Sequence, residues 1–185
     1  MTQTILQDVP ADVQPATGIC LVRFGAVPEV GKFAVTTDLP PRGTAVVVQT
    51  HRGLQMGVVL ERLKPSAAND PAEVDTSIVR VATPQDLETA QRLTSQCEDA
   101  YPAWCARILK WNLNLELIDI EQTLDGEKQI LYVLCERGPD STKLALQAAA
   151  TGLGLIEVQP VSATGLVQPE GKSCGTGGGG CGCSH

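Results

Sequence analysis

The residues best suited to chemistry lie at the end of the chain. Cys174, Cys181, Cys183 and His185 place four soft or borderline metal ligands within twelve residues. Thiolates and imidazole are typical ligands of tetrahedral zinc, and thiolates also hold iron–sulfur clusters. The glycines between them permit the backbone conformations that a short loop needs to wrap around an ion. We therefore predict a candidate metal site here, for zinc or an iron–sulfur cluster.

The spacing of these ligands leaves other interpretations open. The pattern Cys-x6-Cys-x-Cys-x-His is not a standard zinc spacing. Two cysteines in Cys-x-Cys seldom bind one zinc without help from another chain segment. Thiol exchange is one alternative, and a flexible tail with incidental cysteines is the other. The sequence indicates no further cofactor.

Two pairs of residues on one predicted helix are expected to serve packing. Cys97 and Cys105 lie on the apolar stripe of that helix, and buried cysteines usually behave as small hydrophobic residues. Trp104 and Trp111 are seven residues apart on the same stripe and are predicted to lie in the core or at an interface between two parts of the chain. The alternative is an exposed pair that marks a partner site. None of the four is predicted to be catalytic.

The polar candidates do not assemble into a catalytic set. The Arg52-Gly53 pair is predicted to form a turn between two strands, because no phosphate-loop sequence follows and no helix begins there. Asp119 and Glu121 alternate onto one face of a strand and are predicted to be solvated. The only histidines are His51 and His185. Without an acid–base or nucleophile constellation, we predict a protein that is not an enzyme.

Composition and charge disfavour several classes of function. Residues 1–82 carry seven Lys/Arg against eight Asp/Glu, and residues 83–185 carry seven against thirteen. Direct nucleic-acid binding is disfavoured, because no segment concentrates basic residues and only 3% of residues are aromatic. No stretch reaches the ~18 apolar residues of a membrane span, and the first residues lack a secretory signal. Cysteines within apolar segments suit a reducing compartment, so we predict a cytoplasmic protein.

The elements that position these residues divide the chain into successive parts. Residues 1–17 are predicted to be a disordered lead, and residues 18–64 a small antiparallel sheet or barrel of short β-branched strands. Residues 65–75 read as a linker, residues 76–160 as an α+β unit, and residues 161–185 as a flexible Gly/Cys-rich tail. The predicted strands of the first part are 18–24, 31–35, 44–50 and 56–60.

The α+β unit is predicted to have the order α-β-β-α-β in two layers. Thr83-Pro84 supplies a helix start, and apolar residues then recur at three- and four-residue spacing as far as Trp111. Pro102 should kink this helix or split it near Ala100. Asp125-Gly126 predicts a tight hairpin turn. The remaining elements are strands at 115–120 and 129–135, a helix at 142–151 and a strand at 152–160.

Several motifs in this order resemble the polymerase-suppressor C-terminal domain family, the family of RicT- and YaaT-like bacterial proteins. The resemblance covers roughly residues 18–160. The motifs that carry it are Val22-Arg-Phe24, Val48-Gln-Thr-His-Arg-Gly53 with Gly57-Val-Val59, Arg80-Val-Ala-Thr83 with Asp86-Leu87, the helix cysteine Cys105, and the hairpin from Leu115 to Tyr132. Two features depart from the family. Arg137-Gly-Pro-Asp-Ser-Thr-Lys143 replaces an Arg-x-Asp-Phe-Arg-like run, and a Gly-Gly-x-Gly-Pro-Cys-Gly segment is absent.

The resemblance implies a regulatory or adaptor protein that acts through protein partners. RicT-like proteins work in a small complex that binds iron–sulfur clusters and assists ribonuclease Y in RNA maturation. By this resemblance, the expected partners belong to a ribonuclease-associated complex. The metal or cluster expected at the tail ligands follows from the tail's own residues, since the family's cysteine segment is absent. The alternative is a metal-trafficking or redox module, whose folded part docks on a target while the tail delivers an ion or a thiol.

Overall fold

The computed structural model describes residues 17–36, 38–64, 66, 69–135, 139–162 and 165–166. It confirms the predicted α+β fold class, with a β-rich first part followed by two helices and a second small sheet. The elements are β1 (Gly18–Phe24), β2 (Glu29–Val35), β3 (Ala45–Thr50), β4 (Gly53–Arg62), β5 (Ser77–Val81), α1 (Pro84–Lys110), β6 (Glu116–Gln122), β7 (Lys128–Leu134), α2 (Asp140–Ala150), β8 (Leu155–Ser162) and β9 (Gly165–Leu166).

The first five strands form a closed barrel in the order β1-β2-β5-β3-β4. Alternating residues of these strands point inward and fill the interior with valine, isoleucine and phenylalanine side chains. Phe24 and Phe33 meet edge to face, with ring centroids 5.2 Å apart. The barrel is tight enough to require a glycine at position 57, because a Cβ atom there would lie 2.5 Å from Val22 Cγ1.

Strand β5 was not identified from the sequence. It closes the barrel by pairing in parallel with β2 at Ala34 and antiparallel with β3. Ile78 is its only fully buried residue, so the strand lacks the apolar alternation that marks β1 and β3. The α+β unit was predicted to start at residue 76. Its first residues, Ser77–Val81, instead form a strand of the barrel.

Helix α1 begins with a complete capping box. The Thr83 side chain accepts from the Asp86 amide, and the Asp86 carboxylate accepts from the Thr83 amide. Arg80 of β5 also binds Asp86, with Nη2 2.7 Å from Oδ1. This hydrogen bond, together with those from Thr83, holds the pKa of Asp86 well below its usual range. The last strand of the barrel and the first turn of α1 are thus tied together.

Pro102 was predicted to kink α1 or to split it. The split is wrong, because the helix continues without interruption from Pro84 to Lys110, and the kink stays a prediction. Pro102 lies on an exposed face, where water can hydrate the carbonyl that loses its backbone donor. The predicted helix end is confirmed, since the chain leaves the helix after Lys110 through Asn112 with a φ of 53°. Asparagine tolerates this left-handed conformation better than most residues.

The second sheet has the order β6-β7-β8-β9, and its two faces have different partners. Strands β6 and β7 form the predicted hairpin, with Gly126 at a φ of 75°. Helix α2 connects β7 to β8, which pair in parallel. One face of the sheet packs against α1 and α2 through residues such as Trp104, Leu131 and Leu144. The opposite face, with Ile130 and Tyr132, packs against the turn after β1.

Packing predictions for the helix residues are confirmed. Cys97 and Trp104 are buried in the cluster between the helices and the sheet, and Cys105 and Trp111 pack against it half-buried. Among the described residues, no helix combines the length and the apolar character needed to cross a membrane.

Candidate functional site

A groove of about 540 Å³ opens where the barrel, helix α1 and strand β6 meet. Its apolar surface includes Met56 of β4 and Leu93 of α1, and α1 also contributes Tyr101. Its polar residues include three carboxylates, Glu98, Asp119 and Glu121, and none of the described residues that line it is a lysine or arginine. We call this feature the acidic groove. It is a concave surface with a mixed apolar and negatively charged lining, as binding sites commonly have.

Glu121 holds the inner wall of the acidic groove together. Its side chain accepts hydrogen bonds from Gln55 Nε2 at 2.7 Å, Tyr132 Oη at 2.6 Å and the Ala26 amide at 3.0 Å. These donors come from β4, β7 and the turn after β1. One carboxylate therefore joins the barrel to the second sheet, and the predicted solvated role is wrong for Glu121. Asp119 is exposed, in accord with its predicted solvation.

Tyr132 lies directly beneath this wall and is fully buried. Burial raises its pKa well above the usual range, and the neighbouring charge of Glu121 raises it further. The phenol therefore stays protonated and donates its hydrogen bond to Glu121. Buried polar networks stabilise a fold when their members are satisfied, and each donor named in this wall has Glu121 as its acceptor.

Arg52 is a second polar link between barrel and sheet. It lies in the predicted turn between β3 and β4, which the structure confirms, yet its side chain is only 3% exposed. The guanidinium forms an ion pair with Glu29, and its Nε lies 3.7 Å from Glu157 Oε1 of β8. Burial works to lower the pKa of Arg52, but the hydrogen bond with Glu29 and the nearby negative charges raise it overall.

The same turn makes a backbone link to the second sheet. The Leu124 amide donates to the Leu54 carbonyl at 2.8 Å. Gly53, at a φ of 126°, packs against Thr123, whose hydroxyl donates to Asp125 at 2.6 Å. The sequence placed Arg52 in a turn motif and Glu121 on a solvated strand face, and it gave no signal for Gln55. Their partners are far away along the chain, as for Arg52 with Glu157 and Gln55 with Glu121, so only the fold brings them together.

The cysteines of the described segments are free thiols: Cys20, Cys97, Cys105 and Cys135. Cys97 borders the acidic groove. Burial raises the pKa of Cys97 to about 11, and the charges of Asp119 and Glu121 add to the shift. Burial also raises the pKa values of Cys20 and Cys135. At neutral pH these three thiols are protonated, which makes them poor nucleophiles and poor metal ligands.

The four predicted metal ligands, Cys174, Cys181, Cys183 and His185, lie outside the described residues. Within the segments that the structure covers, no three His, Cys, Asp or Glu side chains come close enough together to hold a metal ion. His51 is exposed in the turn before Arg52. The metal site at the tail therefore stays a prediction from the sequence.

Comparison of the sequence with known protein families found a match to a segment that begins at the last barrel strand and ends with α2. Residues 76–150 match the PSP1 C-terminal conserved region. We refer to this matched segment, which is similar to that family region, as the PSP1 region. It confirms the resemblance to the polymerase-suppressor C-terminal family and comprises β5, α1, β6, β7 and α2. The PSP1 region thus includes one strand of the barrel and both helices, but ends before β8.

A curated relative extends the similarity beyond the PSP1 region. The chain is 27% identical over 132 residues to the stage 0 sporulation protein YaaT of Bacillus subtilis strain 168, a match that covers 71% of this chain. The chain spans about half of that relative's length, with 46% of it matched. No solved structure matches the chain.

Proposed function

We propose that this chain is a regulatory or adaptor protein that is not an enzyme and that acts by binding protein partners. The acidic groove carries the proposal, because it is an open surface bordered by the barrel and the PSP1 region together. The similarity to YaaT, a protein named for a role in sporulation, agrees with a regulatory function. The buried thiols at neutral pH also favour binding over nucleophilic chemistry.

The finer proposal places these partners in RNA maturation. It rests on the RicT-like motifs in the sequence, which imply a ribonuclease-associated complex. The net negative charge and the carboxylates of the acidic groove favour contact with the protein components of such a complex. Phosphates would be repelled by this surface, so contact with RNA would pass through a partner.

Affinity capture of the full tagged chain from its native cell, with chemical crosslinking, tests the adaptor function. We expect a stoichiometric protein partner, and ribonuclease or RNA-maturation factors among the crosslinked proteins. A chain that is recovered alone from growing and from starved cells would contradict the adaptor function. Recovery of partners unrelated to RNA would contradict the finer proposal only.

The tail is proposed to hold a metal or an iron–sulfur cluster through Cys174, Cys181, Cys183 and His185. Three thiols and an imidazole suit zinc or a cluster, which would stabilise the loop that binds it. Metal analysis of anaerobically purified protein tests this, with the triple variant Cys174→Ser, Cys181→Ser, Cys183→Ser as control. Equal zinc and iron contents in the two proteins would contradict the site.

The second candidate function, a metal-trafficking or redox module, also rests on the clustered cysteines of the tail. Deletion of residues 173–185 separates the two functions. An adaptor keeps its partners and its cellular role after deletion. A trafficking module keeps the docking of its folded part and loses metal or thiol transfer to the target.

A further inference from the structure

We propose that the acidic groove binds an extended, arginine-rich segment of a partner protein that also carries apolar side chains. This proposal rests on the adaptor function and names the chemistry of its partner. Three observations carry it: charges in the groove that lack a cation, backbone carbonyls of an edge strand that face the groove, and an apolar surface between them.

The carboxylates of the groove have no positively charged partner among the described residues. Glu98 of α1 and Asp119 of β6 are exposed and form no ion pair there. Within the described segments, the donors to Glu121 are all neutral, namely an amide side chain, a phenol and a backbone amide. Three negative charges around one groove therefore attract a cation that the described residues do not supply.

The backbone of β6 adds further hydrogen-bond acceptors. Strand β6 is at the edge of its sheet, so one side of it has no neighbouring strand in the part of the chain that the structure describes. The Thr123 amide donates to the Lys128 carbonyl of β7, and the alternation of an antiparallel ladder then turns the backbone groups of Ile120 and Gln122 towards the open side. Both residues line the groove.

The amide groups on this open edge are already engaged. The Ile120 amide donates to Asp119 Oδ1 at 2.8 Å, and the Gln122 amide faces the Cys97 thiol. Their carbonyls remain as acceptors. The groove thus presents an excess of acceptors beside Met56 and Leu93, and Tyr101 offers an aromatic ring. An arginine supplies five donors in a plane and can stack on such a ring, which suits this combination.

The chain's own terminal segments fit the groove poorly. Residues 1–16 contain two aspartates and no Lys or Arg, and residues 167–185 contain one Lys and one Glu. A second copy of the chain carries the same net charge of −7 and would be repelled. The complementary occupant is therefore a basic segment of a different protein. An extended segment can also use the edge strand, as in known modes of peptide binding.

A synthetic peptide tests the proposal with the full chain. The probe has about ten residues of alternating arginine and valine, and its control has citrulline in place of arginine. We expect saturable binding of the arginine peptide by fluorescence anisotropy and at least about tenfold weaker binding of the citrulline peptide. Hydrogen exchange should slow at residues 119–122. Absence of saturable binding, or protection confined to other elements, would overturn the proposal.

Matched variants localise the binding. The double variant Glu98→Gln, Asp119→Asn removes two charges, and the asparagine retains an oxygen that can accept from the Ile120 amide. The control Glu88→Gln, Glu127→Gln removes two exposed charges outside the groove. We expect the first variant to weaken peptide binding about tenfold and the second to leave it nearly unchanged. Equal losses would indicate nonspecific attraction and contradict the proposal.

Two further outcomes would also overturn it. Stronger peptide binding after deletion of residues 1–16 would mean that the chain's own segment occupies the groove. Peptide-induced dissociation of a dimer would mean that a second copy does. The cellular capture experiment keeps the two proposals separate. If the groove variant still captures every partner of the unmodified chain, the adaptor function stands and the groove proposal fails.

Discussion

At the scale of single residues, the decisive features are polar groups that the fold has buried. Arg52 and Tyr132 are almost fully enclosed, and each meets a carboxylate from another strand, Arg52 those of Glu29 and Glu157 and Tyr132 that of Glu121. A buried charge is tolerated when its partner is in place and becomes costly when the partner is removed. Stability therefore depends strongly on a few pairs that look unremarkable in the sequence.

Replacement of Arg52 by methionine should destabilise the protein by about 3 kcal/mol, because it leaves Glu29 without its cation. Urea unfolding followed by circular dichroism measures the change. The matched control is Arg42→Met, whose ion pair with Glu61 is exposed and should contribute under about 1 kcal/mol. Adding Glu29→Gln to the Arg52 variant should recover part of the loss. Equal effects at positions 42 and 52 would contradict the burial argument.

Cys97 should make stability depend on pH in the alkaline range. Its pKa is raised from 9.0 to about 11 in the folded protein, so the folded state binds this proton more tightly than the unfolded state. The resulting stabilisation is complete below about pH 9 and is lost as the pH rises to about 11.

The contribution of Cys97 to the pH dependence of stability is the difference in unfolding free energy between the unmodified chain and the Cys97→Ala variant. Urea unfolding of the unmodified chain and of Cys97→Ala between pH 8 and about 11 separates it from other titrating groups. We expect the gap in stability between the two proteins to narrow by up to about 2 kcal/mol as the pH rises. A gap that stays constant over this range would contradict the buried, protonated thiol.

At the scale of elements, the sequence predicted what local patterns control. The strands β1 and β3, the hairpin of β6 and β7, and the ends of α1 follow from apolar alternation, a tight turn and a capping box. Strand β5 was missed because its partners β2 and β3, and not its own residues, determine its place. The groove was missed for the same reason, since α1, β6 and the barrel meet only after folding.

The close approach of β1 and β4 gives a prediction at this scale. Gly57→Ala places a Cβ atom 2.5 Å from Val22 Cγ1 and should cost about 1–3 kcal/mol through overpacking. Thermal unfolding of the single and double variants forms the test. Val22→Ala opens space, so the double variant Gly57→Ala, Val22→Ala should lose less stability than the sum of the two single changes. Additive losses would contradict the steric cause.

At the scale of the whole molecule, the barrel serves as a second layer for the sheet. Val27, Ile130, Tyr132, Val161 and Leu166 pack between them, and Glu121 and Arg52 bridge the two. The helices cover only the other face of the sheet. The family similarity of residues 76–150 therefore describes a region that depends on flanking strands for its own core.

A fragment of residues 76–166 should fail to fold cooperatively on its own. Without β1 to β4, Ile130 and Tyr132 lose their cover, and β5 loses its partners. We expect weak near-ultraviolet circular dichroism, binding of a hydrophobic dye and no cooperative urea transition. The full chain under the same conditions is the control. A well-dispersed amide spectrum from the fragment would show that the sheet and helices are sufficient.

The position of β5 has a consequence for protein engineering and for the exchange of segments between relatives. Because this strand is part of the PSP1 region and also closes the barrel, a chimera that receives residues 76–150 from a relative would import one barrel strand with them. The imported strand must match β2 and β3 of the host. A junction after Val81 would keep the host barrel intact. The ion pair at the start of α1 would then join Arg80 of the host to Asp86 of the relative.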